Sequence, residues 1–258
     1  MKNLIVQINV PGELYKDSHL SQAGPGTYGI KGKGYSNLQK IGKESERSFR
    51  LYAKKCNADY VVFEKPVYNW VSPSFERMRL IVEDKWANLY DNVLYVDYDI
   101  LCHPKASNVF LEYPQDAIRI VNKKNLNSSN KEEMRNFRKR GVNESIFRKT
   151  FFNAGVMLFN KRGMQLLKKY EKFKKRVWSW RHGCQGEMNF CIMKHKIPVI
   201  EMDGSYNKLI HNKGGSISHL WKNTNFFHFV GGNSLPPNSQ RVQILNKIKE
   251  VNANFLSS

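Results

Sequence analysis

Two aspartates, Asp97 and Asp99, directly follow an apolar run at residues 93–96, and the apolar pattern resumes at Ile100 and Leu101. Two carboxylates at the end of a buried strand are costly unless a cation or water compensates their charge. Mg²⁺ and Mn²⁺ take such oxygen ligands and typically share them with substrate phosphates. The spacing therefore predicts a Mn²⁺ or Mg²⁺ site that holds a phosphate-bearing substrate. A strand that ends in two solvated carboxylates stays open as the alternative.

The elements that must position these aspartates are strands and helices in alternation. Apolar β-branched runs predict strands, and apolar residues at three- and four-residue spacing predict helices. The first predicted elements are strand 4–10, helix 36–57, strand 60–63, helix 75–89, strand 93–96 and strand 117–121. Such alternation is typical of an α/β fold with a mostly parallel central sheet and helices on both faces. Ligands of these sheets bind at the carboxyl ends of the strands, where Asp97 and Asp99 stand.

The rest of the chain is predicted to extend the same domain, so that residues 1–258 form a single unit. Residues 122–150 carry nine Lys or Arg against three Glu, which predicts a polar, basic insertion with a short helix at 131–140. The further predicted elements are strand 151–159, basic helix 161–181, helix 185–193, strand 199–200, an apolar run at 226–230 and a C-terminal helix at about 239–256.

Composition narrows the class of protein. The formal net charge of +20 favours anionic partners and is compatible with a peripheral contact with an anionic membrane, although a solvated basic surface explains it equally well. The N-terminus is typical of a first strand and not of a signal peptide, and no apolar stretch is long enough to span a membrane. The four cysteines form no C-x-x-C pair, which suits free thiols in a reducing compartment. These features predict a cytoplasmic protein.

Four segments resemble a known family. They are YDNVLYVDYDIL at 90–101, FFNAGVMLFN at 151–160, CQGEMNFCI at 184–192 and FFHFVGG at 226–232. In this order they resemble the GT-A-fold glycosyltransferases, and most of all the retaining glycogenin and lipopolysaccharide-galactosyltransferase family. With the first strand and helix, they cover most of residues 1–232. The resemblance implies a GT-A, Rossmann-like α/β fold and a metal-dependent transferase with a nucleotide-sugar donor.

The resemblance also implies a metal centre. Asp97 and Asp99 match the D-x-D that holds Mn²⁺ or Mg²⁺ and the donor diphosphate, and His228 matches the third protein ligand. Gly231 matches a glycine whose amide lies near the diphosphate. Ser234 stands where the family usually has a lysine that pairs with phosphate, so this chain lacks that lysine.

Other matches concern donor binding. Arg77, in FERM at 75–78, resembles a basic residue that bonds the donor phosphate or sugar, and a surface arginine on an amphipathic helix is the alternative. The N-A-G of the strand that faces the donor sugar is matched by Asn153, Ala154 and Gly155. By position alone, at or after the first strand, the base and ribose are predicted to be bound by Gln7, Asn9 and Tyr15.

The segment at 184–189 matches the family's D-Q-G-x-L-N, with Cys184 in place of the aspartate that normally binds donor-sugar hydroxyls. The catalytic candidates are therefore Gln185 and Asp99, which match the family, and Glu187, which is added because it lies two residues beyond Gln185 and could supply a carboxylate to the same pocket. A solvated helix glutamate is the alternative for Glu187.

The implied function is transfer of a hexose or pentose, with retention, from a nucleotide sugar to a glycan, glycolipid or protein acceptor, with UDP as the favoured nucleotide. Two other classes stay open: a basic nucleic-acid-binding protein and a catalytically inactive sugar-nucleotide-binding module. No helix-turn-helix, zinc-finger or RNP pattern is present, so no nucleic acid is expected as a partner. Residues 24–29 fit G-x-G-x-x-G, but they contain Pro25 and do not directly follow a strand, which argues against a dinucleotide site.

Overall fold

The strands and helices below come from a computed structural model of the chain. It describes residues 1–10, 33–68, 70, 73–113, 116–122, 128–169, 184–210, 217–230 and 235–256. Several predictions fall outside these residues. They concern Tyr15, Gly231, Ser234, the G-x-G-x-x-G match at 24–29 and the second half of the basic helix 161–181.

Nine strands lie in the described ranges. They are β1 (Asn3–Ile8), β2 (Ala58–Phe63), β3 (Asn92–Val96), β4 (Ile100–Cys102), β5 (Ile118–Asn122), β6 (Phe152–Asn160), β7 (Val199–Glu201), β8 (Lys208–Leu209) and β9 (Phe226–His228). Six of them form one sheet in the order β2-β1-β3-β6-β5-β7. Only β6 runs antiparallel to its neighbours in that sheet, so the predicted mostly parallel sheet is confirmed.

The helices of the described ranges cover both faces of this sheet. They are α1 (Lys33–Lys55), α2 (Arg79–Val82), α3 (Asp84–Leu89), α4 (Val109–Glu112), α5 (Ser128–Lys139), α6 (Glu144–Thr150), α7 (Lys161–Lys169), α8 (Cys184–Lys194), α9 (Ser218–Lys222) and α10 (Gln240–Leu256), with 3₁₀ turns at Pro73–Met78 and Gly204–Asn207. Successive residues of β3 enter opposite clusters, with Val93 and Tyr95 in one and Leu94 and Val96 in the other. This alternation shows that the strand is buried on both faces, as a covered sheet requires.

The single helix predicted over 75–89 is wrong, because the segment breaks into a 3₁₀ turn, α2 and α3. Glu83 is extended (φ −94°, ψ 108°) between the two helices. Its carboxylate accepts hydrogen bonds from Arg79 Nε at 2.9 Å and Trp86 Nε1 at 3.0 Å. The carboxylate thus joins the two short helices across the break, an arrangement that helical periodicity alone does not signal.

The direction of β6 brings two distant parts of the chain together. Val96, at the carboxyl end of β3, pairs with Val156, and the next residue, Asp97, donates its N–H to the carbonyl of Gly155 at 2.8 Å. The start of β6 therefore lies at the edge where β1 and β3 end. Because β5 is antiparallel to β6, β5 also ends at this edge, and the segment between them leaves and returns there.

A second, three-stranded sheet in the order β4-β9-β8 was not predicted from the sequence. It begins at Ile100, directly after the two aspartates, and pairs Ile100 with His228 in antiparallel register. Strand β8 is parallel to β9 and pairs Leu209 with the same histidine. These pairings bring a residue from near the C-terminal end of the chain to Asp99.

The basic insertion is less polar than predicted. Instead of one short helix it contains α5 and α6, and these enclose a buried cluster with α8. The cluster contains Phe137, Val142, Phe147, Phe151, Phe190 and Met193. The insertion is therefore packed onto the helix that begins with the CQG segment.

We expect Phe137→Ala to lower the free energy of unfolding by about 3–5 kcal/mol, because the substitution empties a fully buried aromatic position. Urea denaturation followed by circular dichroism measures the change. Leu111→Ala is the control, because Leu111 is 70% exposed and its truncation should change stability by less than about 0.5 kcal/mol. Equal, small effects of both substitutions would show that the insertion is not packed as described.

Candidate active site

Asp97 is held by three protein groups. Its N–H bonds to Gly155 O, and its Oδ1 accepts hydrogen bonds from Arg77 Nη2 at 3.1 Å and from the Tyr95 hydroxyl. The Asp97 side chain remains 25% exposed. Its negative charge is thus partly balanced within the protein, while the carboxylate stays accessible to solvent.

Arg77 is buried and fixed from several sides. Its Nε donates to Ser74 O at 2.9 Å and its Nη1 to Ala154 O at 2.6 Å, and the guanidinium lies 4.6 Å from the centre of the Tyr95 ring. The alternative of a surface arginine is therefore wrong. The 3₁₀ turn at Pro73–Met78 delivers a preorganised cation to Asp97.

Asp99 faces His228 across the boundary between the two sheets. The Nε2 atom of His228 lies 3.4 Å from Asp99 Oδ1, and Phe229 N–H donates to Asp99 O at 3.0 Å. His228 is buried, whereas the Asp99 side chain is 23% exposed. One ligand atom from each of Asp97, Asp99 and His228 lies within 4.8 Å of the others, so the three residues predicted as metal ligands do converge.

A divalent cation fits this arrangement chemically. Burial lowers the pKa of His228, but the charge and hydrogen bond of Asp99 and the charge of Asp97 outweigh it, and the net shift is upward. The two carboxylates that stabilise the positive charge of the imidazolium would likewise stabilise the positive charge of a metal ion bound to the neutral ring. Two carboxylate oxygens and one imidazole nitrogen are a ligand set that suits Mn²⁺.

The middle residue of the D-x-D, Tyr98, points away from the acids and anchors the turn. Its ring lies on Gly42 of α1, where a Cβ atom would come within 1.8 Å of Tyr98 Cε1. Asn9 Nδ2 donates to the Tyr98 hydroxyl at 3.0 Å. The predicted ribose- or base-binding residue Asn9 therefore lies beside the D-x-D turn, and so does Gly42, to which no sequence motif pointed.

Gln7 lies beneath the same turn and is buried. Its Nε2 donates to Ser45 Oγ at 2.8 Å and to Asp97 O at 3.3 Å, and its Oε1 accepts from the Tyr60 hydroxyl. The Ser45 hydroxyl in turn donates to Ile100 O. The side chain of Gln7 thus supports the backbone on both sides of Tyr98, together with a helix residue that the motif matches did not include.

The start of β6 lies against both His228 and α8. A Cβ atom on Gly155 would lie 2.5 Å from His228 Cε1, so glycine is required for the ring to pack there. Ala154 N–H donates to Gln185 Oε1 at 3.0 Å, and Gly155 N–H donates to Asn153 Oδ1 at 2.8 Å. The predicted N-A-G residues and Gln185 therefore do meet at one place.

Asn207 completes the surroundings of His228, and no sequence motif pointed to it. Its Oδ1 lies 2.7 Å from His228 Nδ1, and its Nδ2 donates to Asn153 Oδ1 at 3.1 Å. Asn207 ends the 3₁₀ turn at Gly204–Asn207 and directly precedes β8, so the second sheet that delivers His228 also delivers its neighbour.

The other residues of the CQGEMN segment differ in their burial and contacts. Cys184 is fully buried with its Sγ 3.2 Å from Met78 Sδ, and burial raises its pKa to about 12. Glu187 is partly buried, and its Oε2 lies 4.0 Å from Arg140 Nη1, so it is not simply a solvated glutamate. Asn189 both accepts from Phe152 N–H at 2.9 Å and donates to Phe152 O at 3.0 Å, which fixes α8 against β6.

Comparison with known proteins identifies the family. A sequence model of the family described as "Glycosyl transferase family 8" matches residues 30–234, well over half of the chain. No curated protein sequence matches the chain. None of the helices in the described ranges is long and apolar enough to cross a membrane.

Several solved structures share the fold. A glycosyltransferase involved in the glycosylation of the major capsid of PBCV-1 is 11% identical over 97% of this chain and 100% of its own, with a TM-score of 0.51. An active-site mutant of LgtC is 12% identical over 96% of this chain and 95% of its own, with a TM-score of 0.51. The bifunctional glycosyltransferase WbbM is 12% identical over 98% of this chain and 50% of its own, with a TM-score of 0.52. At these identities the likeness concerns the fold alone, and it confirms the predicted GT-A architecture.

Gly155→Ala should weaken Mn²⁺ binding by about 10-fold or more, because the added methyl group would displace the His228 ring from its place beside Asp99. Isothermal titration calorimetry measures the affinity. Gly204→Ala is the matched control, because a Cβ atom at Gly204 meets nothing within 4 Å. Wild-type affinity in the Gly155 variant would mean that His228 is not a ligand in the position described.

Proposed function

We propose that this chain, which belongs to glycosyl transferase family 8 and is a glycosyltransferase, moves a hexose or pentose from a nucleotide sugar to an acceptor hydroxyl. In this proposal the cofactor is Mn²⁺ or Mg²⁺, and UDP is the favoured nucleotide. The convergence of Asp97, Asp99 and His228 at the carboxyl edge of the large sheet carries this proposal. Open α/β sheets bind nucleotides at this edge.

In this proposal Asp97, Asp99 and His228 hold the metal ion, which when bound supplies positive charge to the diphosphate of the donor. The Arg77 guanidinium stands beside Asp97 and stabilises the negative charge that builds on the diphosphate as it leaves. Since its hydrogen bonds to Ser74 and Ala154 already fix it, little reorganisation is needed during the reaction. We assign to Arg77 the phosphate contact that the family's lysine makes at the position of Ser234.

The nucleoside half of the donor is assigned to the end of β1. Asn9 and Tyr15 are assigned to the base and ribose, and Gly231 is assigned to the diphosphate, as the resemblance to the family implies. Gln7 contributes by holding the carbonyl of Asp97 in place. Gln7 is given this supporting role because its amide is already hydrogen-bonded to Ser45, Tyr60 and the Asp97 carbonyl.

The sugar half is assigned to the start of β6 and of α8, where Asn153, Ala154 and Gly155 meet Gln185. Gln185 accepts from Ala154 N–H through Oε1, so its amide nitrogen is the group offered to the sugar or the departing phosphate. Cys184 is buried against Met78 and offers the sugar no carboxylate, and Glu187 is the acidic residue of α8 assigned to the same pocket. The sugar preference should accordingly differ from that of enzymes with aspartate at this position.

The reaction breaks the bond between the anomeric carbon and the diphosphate oxygen and forms a bond from that carbon to the acceptor oxygen, and the acceptor proton passes to the departing diphosphate. The residues of β6 and α8 position the two reactants, which converts an encounter in solution into a reaction within one complex. Retention of the anomeric configuration is part of the proposal and rests on the family. The acceptor is a glycan, a glycolipid or a protein, and the excess of basic residues is suited to peripheral contact with an anionic membrane.

Asp97→Asn and Asp99→Asn should each lower metal-dependent donor hydrolysis and transfer by about 100-fold or more, because each removes a ligand charge opposite the diphosphate. The assay screens nucleotide sugars with Mn²⁺, then with EDTA, and then after Mn²⁺ is restored. A wild-type protein that binds UDP with Mn²⁺ but neither hydrolyses nor transfers any donor would be an inactive binding module.

Asp116→Asn is the matched control, because Asp116 is exposed and its 3.8 Å contact with Arg162 is also exposed. Its activity should equal that of the wild type. Full activity in either D-x-D variant would refute the site assignment, and salt-sensitive DNA binding without metal-dependent UDP binding would favour the nucleic-acid alternative.

A further inference from the structure

His228 has two ring nitrogens, and only an unprotonated one can bind a cation. Two neutral tautomers compete. With the proton on Nε2, the ring would donate to Asp99 Oδ1 at 3.4 Å, and two of the metal ligands would satisfy each other. With the proton on Nδ1, the ring donates to Asn207 Oδ1 at 2.7 Å and leaves the Nε2 lone pair for the metal.

The hydrogen bonds around His228 decide between these tautomers. Their donors and acceptors can be assigned one after another, beginning with a backbone N–H. The N–H of Gly155 can only donate, so the Asn153 atom 2.8 Å away is the amide oxygen. The Asn207 atom 3.1 Å from that oxygen must then be its NH₂ group. The oxygen of Asn207 is therefore turned towards His228, where it can only accept.

We propose that Asn207, oriented by Asn153, is a positioning residue that selects the Nδ1–H tautomer of His228 and so turns the Nε2 lone pair towards the metal. The inference rests on the metal site of the proposed function. It gives Asn153 a part in the metal centre in addition to its assigned contact with the sugar. Outer hydrogen-bond partners of this kind fix the tautomer and orientation of metal-binding histidines.

The position of Asn207 is held by the second sheet. Ile210 N–H donates to His228 O at 2.7 Å, and Asn225 N–H donates to Ser205 O at 2.9 Å. Both Asn207 and His228 are at least nine-tenths buried, so bulk water cannot readily replace the amide oxygen. Loss of that oxygen should therefore shift the proton to Nε2, where Asp99 accepts it.

The direct test is long-range ¹H–¹⁵N NMR of the metal-free protein, recorded at a pH high enough that the His228 signals no longer change with pH and the ring is neutral. The His228 signals are assigned by their disappearance in His228→Gln. In the wild type we expect the proton on Nδ1. In Asn207→Leu, whose side chain has a similar size and no acceptor, the Nε2–H form should dominate. Asn207→Asp should keep the proton on Nδ1, since one carboxylate oxygen accepts the same bond, although the variant loses the bond that Asn207 donates to Asn153.

The second readout is Mn²⁺ affinity by isothermal titration calorimetry. Asn207→Leu should bind Mn²⁺ about 10- to 100-fold more weakly than the wild type, whereas Asn207→Asp should bind it no more weakly. Asn207→Ala serves with the same expectations if the leucine variant does not fold. Asn153→Leu should show a smaller shift in the same direction, since it frees the Asn207 amide to turn.

Asn225→Ala is the structural control. It removes a 2.9 Å bond to Ser205 Oγ next to the same turn, so it should lower stability without moving the proton of His228. Nδ1–H signals in the leucine and alanine variants, or wild-type Mn²⁺ affinity in both, would overturn the inference. Failure of the wild type to bind Mn²⁺ would instead refute the proposed metal site, while the tautomer comparison would still give its own answer.

Discussion

The arrangement of the site depends on the charge of two carboxylates placed where a buried strand ends. Asp97 is matched by a fixed guanidinium and by the hydroxyl of Tyr95, and Asp99 is matched by an imidazole. Neither contact buries the carboxylates completely, since both side chains remain about a quarter exposed. The protein therefore compensates the two acids enough to fold and leaves a net negative cluster that a cation can complete.

Three kinds of contact keep that cluster in shape, and each involves a glycine or a backbone carbonyl. Two glycines, Gly42 and Gly155, let the rings of Tyr98 and His228 pack where any larger residue would push them away. Backbone carbonyls anchor Arg77, and the amide of Gln7 holds the carbonyl of Asp97. Preorganisation of this kind is what electrostatic stabilisation of a leaving group requires, because the dipoles are already in place before reaction.

The sequence was sufficient for the succession of strands in the large sheet, because apolar periodicity is a local signal. The resemblance to a family, and not periodicity, placed His228 with Asp97 and Asp99. The sequence was not sufficient for the second sheet, whose strands are two or three residues long and lack a visible period. The roles of Asn207 and Gly42 were missed for another reason: each depends on a neighbour more than twenty residues away in the chain, and no motif links the two positions. The break at Glu83 was missed because the apolar spacing continues through it.

The segment between β5 and β6 leaves and re-enters the sheet at the same edge as the metal cluster. Its length is consequently independent of strand order and of the register that aligns Asp97 with Gly155. A replacement for this segment would have to supply apolar side chains that cover Phe190 and Met193 of α8. The architecture thus separates the cluster of Asp97, Asp99 and His228 from a segment whose length can vary, so that α5 and α6 can be redesigned without changing the strand register that places the cluster.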